Sequence, residues 1–212
     1  MHSLFDMEGP LMNGLGKIFD CIMLSLCWIS ASLPIVTMGA ASGALYRTVY
    51  RCLRHDDGGP LKMFWQTWRK NLKSGILTWL PVLAVFVLLV LDAAVLRGML
   101  AQGGILSRLY GISLVLIAVA GVWAAYCTAY CVRFEGSVKD VLWLSFFLVL
   151  SHPGKTVMIM LFLVLGTGLA LLVPFLALFL PAAVCLAISF PMESVFLKHM
   201  RPEDIERVQN GE

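Results

Sequence analysis

Long apolar runs alternate along this chain with short segments that hold nearly all of its Lys and Arg residues. A helix needs about 20 mainly apolar residues to cross the hydrocarbon core of a bilayer. The pattern therefore predicts an all-α fold, a polytopic membrane helical bundle of about five spans with a cytoplasmic amphipathic interfacial helix, in one membrane domain over residues 1–212. The predicted spans are 15–46 with a kink at Pro34, 74–96, 109–132, 156–173 and 182–197.

The first run leaves two topologies open. Pro34 interrupts residues 15–46, and proline in a membrane helix permits a kink or a reversal when neighbouring groups satisfy the freed carbonyls. A single crossing puts the N-terminus outside, whereas doubling back at Pro34 puts it inside. We adopt the single kinked crossing as the prediction, because a returning arm after Pro34 would be short.

Residues 60–73 separate polar and apolar positions onto two faces of a helix. The apolar positions recur at helical spacing, with Pro60 in the first turn. This predicts an interfacial helix with its aromatic side chains inserted and its basic face toward anionic lipid headgroups. The alternative is that the apolar side packs on the protein's own spans, and both can hold. The predicted membrane-surface residues are Lys62, Phe64, Trp65, Trp68, Arg69, Lys70 and Lys73.

A second short element follows the third span. Residues 141–150 are apolar, but they are half as long as a crossing helix requires. We predict a membrane-embedded half-helix or an interfacial helix there.

The distribution of Lys and Arg predicts the orientation. Of the sixteen, seven lie in 47–73, three in 133–155 and three after residue 197, whereas the two predicted outer loops, 97–108 and 174–181, hold two and none. Lys and Arg are retained on the cytoplasmic side during insertion. The pattern predicts a multi-pass plasma-membrane protein whose loop 47–73 and C-terminus are cytoplasmic.

Composition narrows the class of protein. The chain is 59% hydrophobic and 14% charged, with a mean hydropathy of +0.85, whereas soluble domains carry about 25% charged residues. A soluble or disordered chain is excluded, and nucleic-acid binding is not expected, because the basic residues flank predicted spans. Five of the six cysteines lie in apolar runs, so we expect small buried hydrophobic residues rather than a disulfide framework.

Small residues after Pro34 form a second candidate site. Gly39 and Gly43 make a G-x-x-x-G pair, a spacing that lets helix backbones approach closely in lipid. Internal packing is the simpler interpretation, and self-association or docking to a partner is the alternative. The predicted packing or docking residues are Pro34, Thr37, Gly39 and Gly43.

Catalytic signatures are missing from the sequence. No nucleophile elbow, zinc-type spacing or phosphate-binding loop is present, so we expect no enzyme activity, cofactor or metal. Asp92 and Glu193 are the ionisable residues within predicted spans, and both are expected to be structural. Asp92 is expected to meet Arg97 or Arg108, and Glu193 to pair with Lys198 or an arginine from a loop.

The stretch from Ser32 to Ala41, followed by Ala44-Leu45-Tyr46, resembles the signature of the YesL family of bacterial membrane proteins. So do Phe64 and the stretch 68–73, although Trp68 and Leu72 replace aromatic residues of the family pattern. The resemblance covers most of the chain, and its specificity lies in the first 80 residues.

That family is one of unknown function, and its members resemble accessory genes found near sugar-uptake ABC permeases and sensor kinases. The resemblance implies a non-enzymatic accessory or regulatory partner of a carbohydrate ABC transporter or its sensor system, and a homo-oligomer is a further possible partnership. The alternative is a small stand-alone transporter or channel.

Overall fold

The computed structural model describes residues 10–54, 59–99, 104–134 and 137–199. These residues form helices and turns without a strand, which confirms the predicted all-α bundle. The helices are α1 (Pro10–Ala31), α2 (Met38–Thr48), α3 (Pro60–Gly98), α4 (Ile105–Arg133), α5 (Val138–Ser151), α6 (Pro153–Leu172) and α7 (Leu180–His199). Shorter turns are 3-10 at Ile35–Thr37 and Pro174–Leu178, and π-helical at Val49–Arg54.

Helices α1 and α2 form a hairpin that reverses at Pro34. The Trp28 indole nitrogen donates a hydrogen bond of 3.1 Å to the Ser42 hydroxyl. In a single continuous helix these residues would be about 21 Å apart along the axis. The predicted single kinked crossing of 15–46 is therefore wrong, because Pro34 separates two helices that pack side by side.

Helix α3 contains two of the predicted elements. The interfacial helix 60–73 and the span 74–96 are one uninterrupted helix of 39 residues, about 58 Å long at 1.5 Å per residue. Pro81 lies within it. The predicted break at residue 74 is absent because residues 70–78 contain no proline, and Gly75 allows close approach of Ala40 instead of ending the helix.

Two buried clusters form the core at one end of the molecule. The first joins α1, α2, the π-helical turn, the start of α3 and the start of α7, around Leu24 and Phe64. The second joins α4, α5, α6, the second half of α7 and Tyr46 of α2, around Tyr126 and Phe196. We call this part of the molecule the compact end.

A pair of helices, α3 from residue 80 and α4 up to residue 119, extends away from the compact end. We call this pair the arm. Its buried side chains are those of Val82, Ala93 and Ser113, and its outward faces are mostly exposed leucine, valine and isoleucine. Such faces fit contact with the acyl chains of a bilayer.

Three described helices are long and apolar enough to cross a membrane, namely α3, α4 and α6. Residues Leu180–Phe196 of α7 form a shorter apolar helix. Helix α5 contains the predicted half-helix 141–150 and has 14 residues, about 21 Å, which is less than the hydrocarbon thickness of about 30 Å. These helices are compatible with a membrane protein.

The turn at Pro174–Leu178 does not lie across a bilayer from the start of α3. The Ser25 hydroxyl donates to the Phe179 carbonyl oxygen and accepts from the Ala182 amide. Ala182 shares one buried cluster with Leu24 of α1 and Phe64 of α3, and Phe179 packs against that cluster. The predictions that residues 174–181 are outer and 60–73 are cytoplasmic therefore cannot both hold, because a bilayer core of about 30 Å does not fit between them.

Candidate membrane interface

One continuous stripe of exposed side chains runs the length of α3. Positions 62, 66, 69 and 73 are followed at the same helical spacing by 77, 80, 84, 88, 91 and 95, and all ten are exposed. The first four are Lys, Gln, Arg and Lys, and the remainder are Leu, Ala or Val. The change from cationic to aliphatic side chains on a single face, between Lys73 and Leu77, is what a helix entering a bilayer requires.

The length of the aliphatic part agrees with this interpretation. From Leu77 to Arg97 is twenty residues, about 30 Å of helix, which equals the thickness of the hydrocarbon core. Arg69, Lys70 and Lys73 then lie within about one turn of the headgroup layer. Lys62 lies about 16 Å beyond Lys73 along the helix, further than a headgroup layer of about 5–8 Å extends for a helix near the bilayer normal.

The aromatic residues of the predicted interfacial helix divide between protein and surroundings. Phe64 is fully buried in the cluster around Leu24, so the prediction that it inserts into lipid is wrong. Trp68 packs partly against the same cluster. Trp65 is 37% exposed and makes edge-to-face contacts with both neighbours, at ring-centroid distances of 5.8 Å to Phe64 and 5.2 Å to Trp68.

The two glycines of the G-x-x-x-G pair pack against other helices of the same chain. A side chain at Gly39 would overlap Trp79, and one at Gly43 would overlap Val132. Both glycines are buried, so they lie in the contacts of α2 with α3 and α4 rather than on a free docking face. This is the close backbone approach that small residues allow.

The other two residues of that predicted site build the hairpin turn. Pro34 is exposed, and the Thr37 hydroxyl oxygen is 2.8 Å from the carbonyl oxygens of both Ala31 and Pro34. The Trp79 indole nitrogen donates to the Ile35 carbonyl oxygen at 2.9 Å. The single hydroxyl proton of Thr37 can serve the Ala31 carbonyl while the Thr37 amide donates to that of Pro34, so the carbonyls of Ala31, Pro34 and Ile35 all have donors.

A buried charge network lies where α2, α4 and α7 meet. Glu193 is 3% exposed, and its Oε1 atom accepts from the Tyr46 hydroxyl at 2.9 Å and from Arg133. The sequence predicted a loop arginine or Lys198 as the partner; Arg133 fills that role at the end of α4, and the side chain of Lys198 lies outside the described residues. Arg133 also contacts the ring of Phe196, 5.6 Å from its centroid.

Further arginines surround this network at the end of α2. The Arg47 guanidinium donates to the Val132 carbonyl oxygen at 3.3 Å. Burial, and then the charges of Arg51 and Arg133, lower the pKa of Arg47 from its ordinary value. Arg54 lies over the Phe190 ring at 4.5 Å. The sequence signal for this cluster was the dense run of arginines after Tyr46, but the pairing with Glu193 required tertiary contacts.

Asp92 is placed in the arm, and its partner there is Ser113. The Ser113 hydroxyl donates to the Asp92 Oδ2 atom at 2.6 Å. The sequence suggested Arg97 or Arg108 instead. The hydroxyl satisfies one carboxylate oxygen between the two helices of the arm.

The space between α2, α3 and α4 is nearly closed. A cavity lined by Gly39, Gly75, Thr78 and Cys131 among others has a volume of about 10 Å³, room for about one water molecule. Within the part of the chain that the structure describes, no group of three or more His, Cys, Asp or Glu residues could hold a metal ion. The described arrangement is that of a packed helical bundle with apolar outer faces.

Residues 21–93 match the family model described as "Protein of unknown function, DUF624". The resemblance to the YesL family, which contains this domain, is confirmed. No curated protein and no solved structure matches the chain. The DUF624 match covers the second half of α1, all of α2 and α3 as far as Ala93, so it corresponds to the reversed hairpin and the helix against which that hairpin packs.

Proposed function

We propose that this protein is a non-enzymatic plasma-membrane protein that acts as an accessory or regulatory partner of a carbohydrate-uptake ABC transporter or of its sensor system. The observation that carries the proposal is the contrast between the close packing of α2 against α3 and α4 and a long exposed arm. An arm of two apolar helices offers membrane-embedded surface to another membrane protein, and the YesL resemblance supplies the class of partner.

The basic half of α3 and the π-helical turn face the cytoplasm in this proposal. Support comes from the seven Lys and Arg residues of 47–73, four of which lie exposed on α3 beside its aliphatic stripe. Anionic headgroups of the inner leaflet would contact Arg69, Lys70 and Lys73.

A stand-alone transporter or channel is the competing class. Such a protein lines a pathway with polar groups near mid-membrane. The cavity of about 10 Å³ between α2, α3 and α4 is too small for a sugar. Packing of this kind favours a partner role over solute passage by one copy of the chain.

Site-specific photo-cross-linking in cells tests the accessory role. A photo-reactive amino acid at Leu88, exposed on the arm, is compared with one at Gln66, exposed on the same face of α3 but in its basic half. We expect Leu88 to cross-link to the membrane subunit of a sugar ABC permease or to a sensor kinase, and Gln66 not to do so. Cross-links only to a second copy of this chain, together with sugar flux in proteoliposomes that contain this chain alone, would contradict the proposal.

A further inference from the structure

The α1–α2 hairpin lies beside the basic half of α3, not beside its aliphatic half. Near its turn, the Ile35 carbonyl accepts from Trp79, and the next contact along α2 is Ala40, whose Cα would be 2.8 Å from a side chain added at Gly75. At its other end, Leu24 of α1 shares a buried cluster with Phe64. The hairpin therefore lies beside residues 64–79 of α3, with its turn next to Trp79.

This placement decides whether the hairpin crosses the bilayer. If α1 and α2 spanned the hydrocarbon core, residues 62–73 of α3 would be at the same depth, with Lys62, Arg69, Lys70 and Lys73 exposed to lipid. A cation exposed to lipid within the hydrocarbon core is strongly disfavoured, and four would lie there on one stretch of α3. The aliphatic stripe of α3 would also be left in water. Crossing by this hairpin is therefore excluded.

The turn of the hairpin nevertheless carries side chains suited to lipid. Leu33 is 78% exposed, Ile35 62% and Val36 41%. Because Ile35 is hydrogen-bonded to Trp79, these side chains lie at the depth where the aliphatic stripe begins, between Leu77 and Leu80.

Carbonyl groups in the backbone of the same turn have hydrogen-bond donors within the protein. Carbonyl groups without a hydrogen-bond partner are strongly disfavoured in hydrocarbon, so membrane-embedded turns require internal partners. Here Thr37 lies at 2.8 Å from the carbonyl oxygens of Ala31 and Pro34, and Trp79 donates to that of Ile35. With the backbone amides of Thr37 and Met38, which donate to Pro34 and Ile35, these side chains meet that requirement for three carbonyl groups of the turn.

We propose that the α1–α2 hairpin enters one leaflet without crossing it, with Leu33, Ile35 and Val36 inserted among the acyl chains just below the headgroups that contact Lys73. The partner of this surface is therefore the lipid of that leaflet. The hairpin also places α1 on the same side of the bilayer as the π-helical turn. Only the identification of that leaflet as the cytoplasmic one rests on the orientation given under Proposed function.

Depth measurement on the full-length protein in liposomes tests this proposal. A single cysteine is added at Ile35, or at Leu33 as a second variant, and is labelled with a small fluorophore; both side chains are exposed, so neither change removes packing. The parent protein with its native cysteines measures background labelling. One matched control carries the cysteine at Leu80, at the expected equal depth on α3. The other carries it at Ser30, which is exposed on α1 and is expected to lie further from the bilayer centre.

We expect lipids with a quencher near the headgroup end of the acyl chain to quench the label at 35 as strongly as the label at 80. Quenchers near the bilayer centre should act more weakly at 35, and the label at 30 should be quenched least. Absence of quenching at both 33 and 35 would overturn the proposal. So would labelling of the cysteine at 35 by an impermeant thiol reagent from the side opposite to a cysteine at Lys62.

Reagent access in intact cells tests the cytoplasmic orientation of the basic half of α3 separately from the insertion of the hairpin. Access to a cysteine at Lys62 from outside the cell, together with the same shallow quenching at 35, would contradict the orientation in Proposed function and would still support the inserted hairpin.

Discussion

The compact end and the arm are both apolar, yet they use apolar residues in opposite ways. In α2, small residues such as Ala40, Gly43 and Ala44 are fully or almost fully buried against neighbouring helices. In the arm, large side chains such as Leu88 (67% exposed) and Ile112 (55% exposed) face outward. Hydropathy alone does not distinguish these environments, whereas residue size does, because helices in lipid approach most closely through small residues.

Substitutions of one acidic residue in each region should give the largest difference in stability between the compact end and the arm. Replacing Glu193 by Ala leaves Arg133 and the Tyr46 hydroxyl buried without their carboxylate partner. Breaking one partner of a buried ion pair costs about 3–5 kcal/mol, so we expect a large loss of stability in detergent. The matched change in the arm, Asp92→Ala, removes one hydrogen bond from Ser113 and should cost about 1 kcal/mol.

Unfolding of both variants by heat or by SDS checks this difference. Equal losses for Glu193→Ala and Asp92→Ala would mean that the buried network does not hold the compact end together. Glu193→Gln, which keeps an acceptor for Tyr46, should fall between the parent and Glu193→Ala.

The basic half of α3 should show an effect on lipid binding rather than on folding. Replacing Arg69, Lys70 and Lys73 together by Gln removes about 1 kcal/mol of attraction per residue to an anionic surface. We expect weaker binding of an anionic lipid titrated into the purified protein, and a weaker salt dependence. Lys62→Gln is the control, since Lys62 lies beyond the expected headgroup layer, and an effect as large as that of the triple variant would refute the assigned depth.

Glycine substitutions compare packing in the two regions. A side chain at Gly75 would lie 2.8 Å from the Ala40 Cα, a backbone atom that cannot move aside easily, whereas Gly111 in the arm has open space. We expect Gly75→Ala to destabilise the protein by about 1–3 kcal/mol and Gly111→Ala to stabilise it by up to about 1 kcal/mol. Thermal unfolding midpoints measure both, and a neutral Gly75→Ala would contradict the close contact of α2 with α3.

The smallest expected effect concerns the hydrogen bond between Trp79, directly before the arm, and the turn of the α1–α2 hairpin. Trp79→Phe keeps the ring but removes the donor to the Ile35 carbonyl oxygen, at a cost of about 0.5–1.5 kcal/mol. Trp143→Phe is the control, because Trp143 is 73% exposed. We expect faster hydrogen exchange in residues 33–38 for Trp79→Phe and no such change for the control.

The sequence predicted the helical class and the amphipathic pattern of 60–73, because both depend on local spacing and composition. The resemblance to the YesL family came from motif residues in the first 80 positions. It did not predict the reversal at Pro34, since proline permits a kink or a turn and only contacts such as Trp28 to Ser42 decide between them. Phe64 was assigned to lipid because one helix cannot reveal that another, α1, covers that face.

The sequence also predicted one of the candidate sites in part, the basic face of α3, but not the buried network around Glu193. The positions of the basic residues on α3 follow from helical periodicity, and their exposure agrees with it. The pairing of Glu193 with Tyr46 and Arg133 joins residues up to 147 positions apart, and no local pattern specifies which arginine a buried carboxylate meets.

A cysteine scan along the outward stripe of α3 tests the central claim, that one continuous helix joins a water-exposed basic half to a lipid-facing half. Single cysteines at 62, 66, 69, 73, 77, 80, 84, 88, 91 and 95 are exposed to an impermeant thiol reagent in membrane vesicles of both orientations. We predict modification from a single side at 62–73 and protection from both sides from 77 to 91. Protection throughout 62–73, or modification at 80–91, would contradict the account.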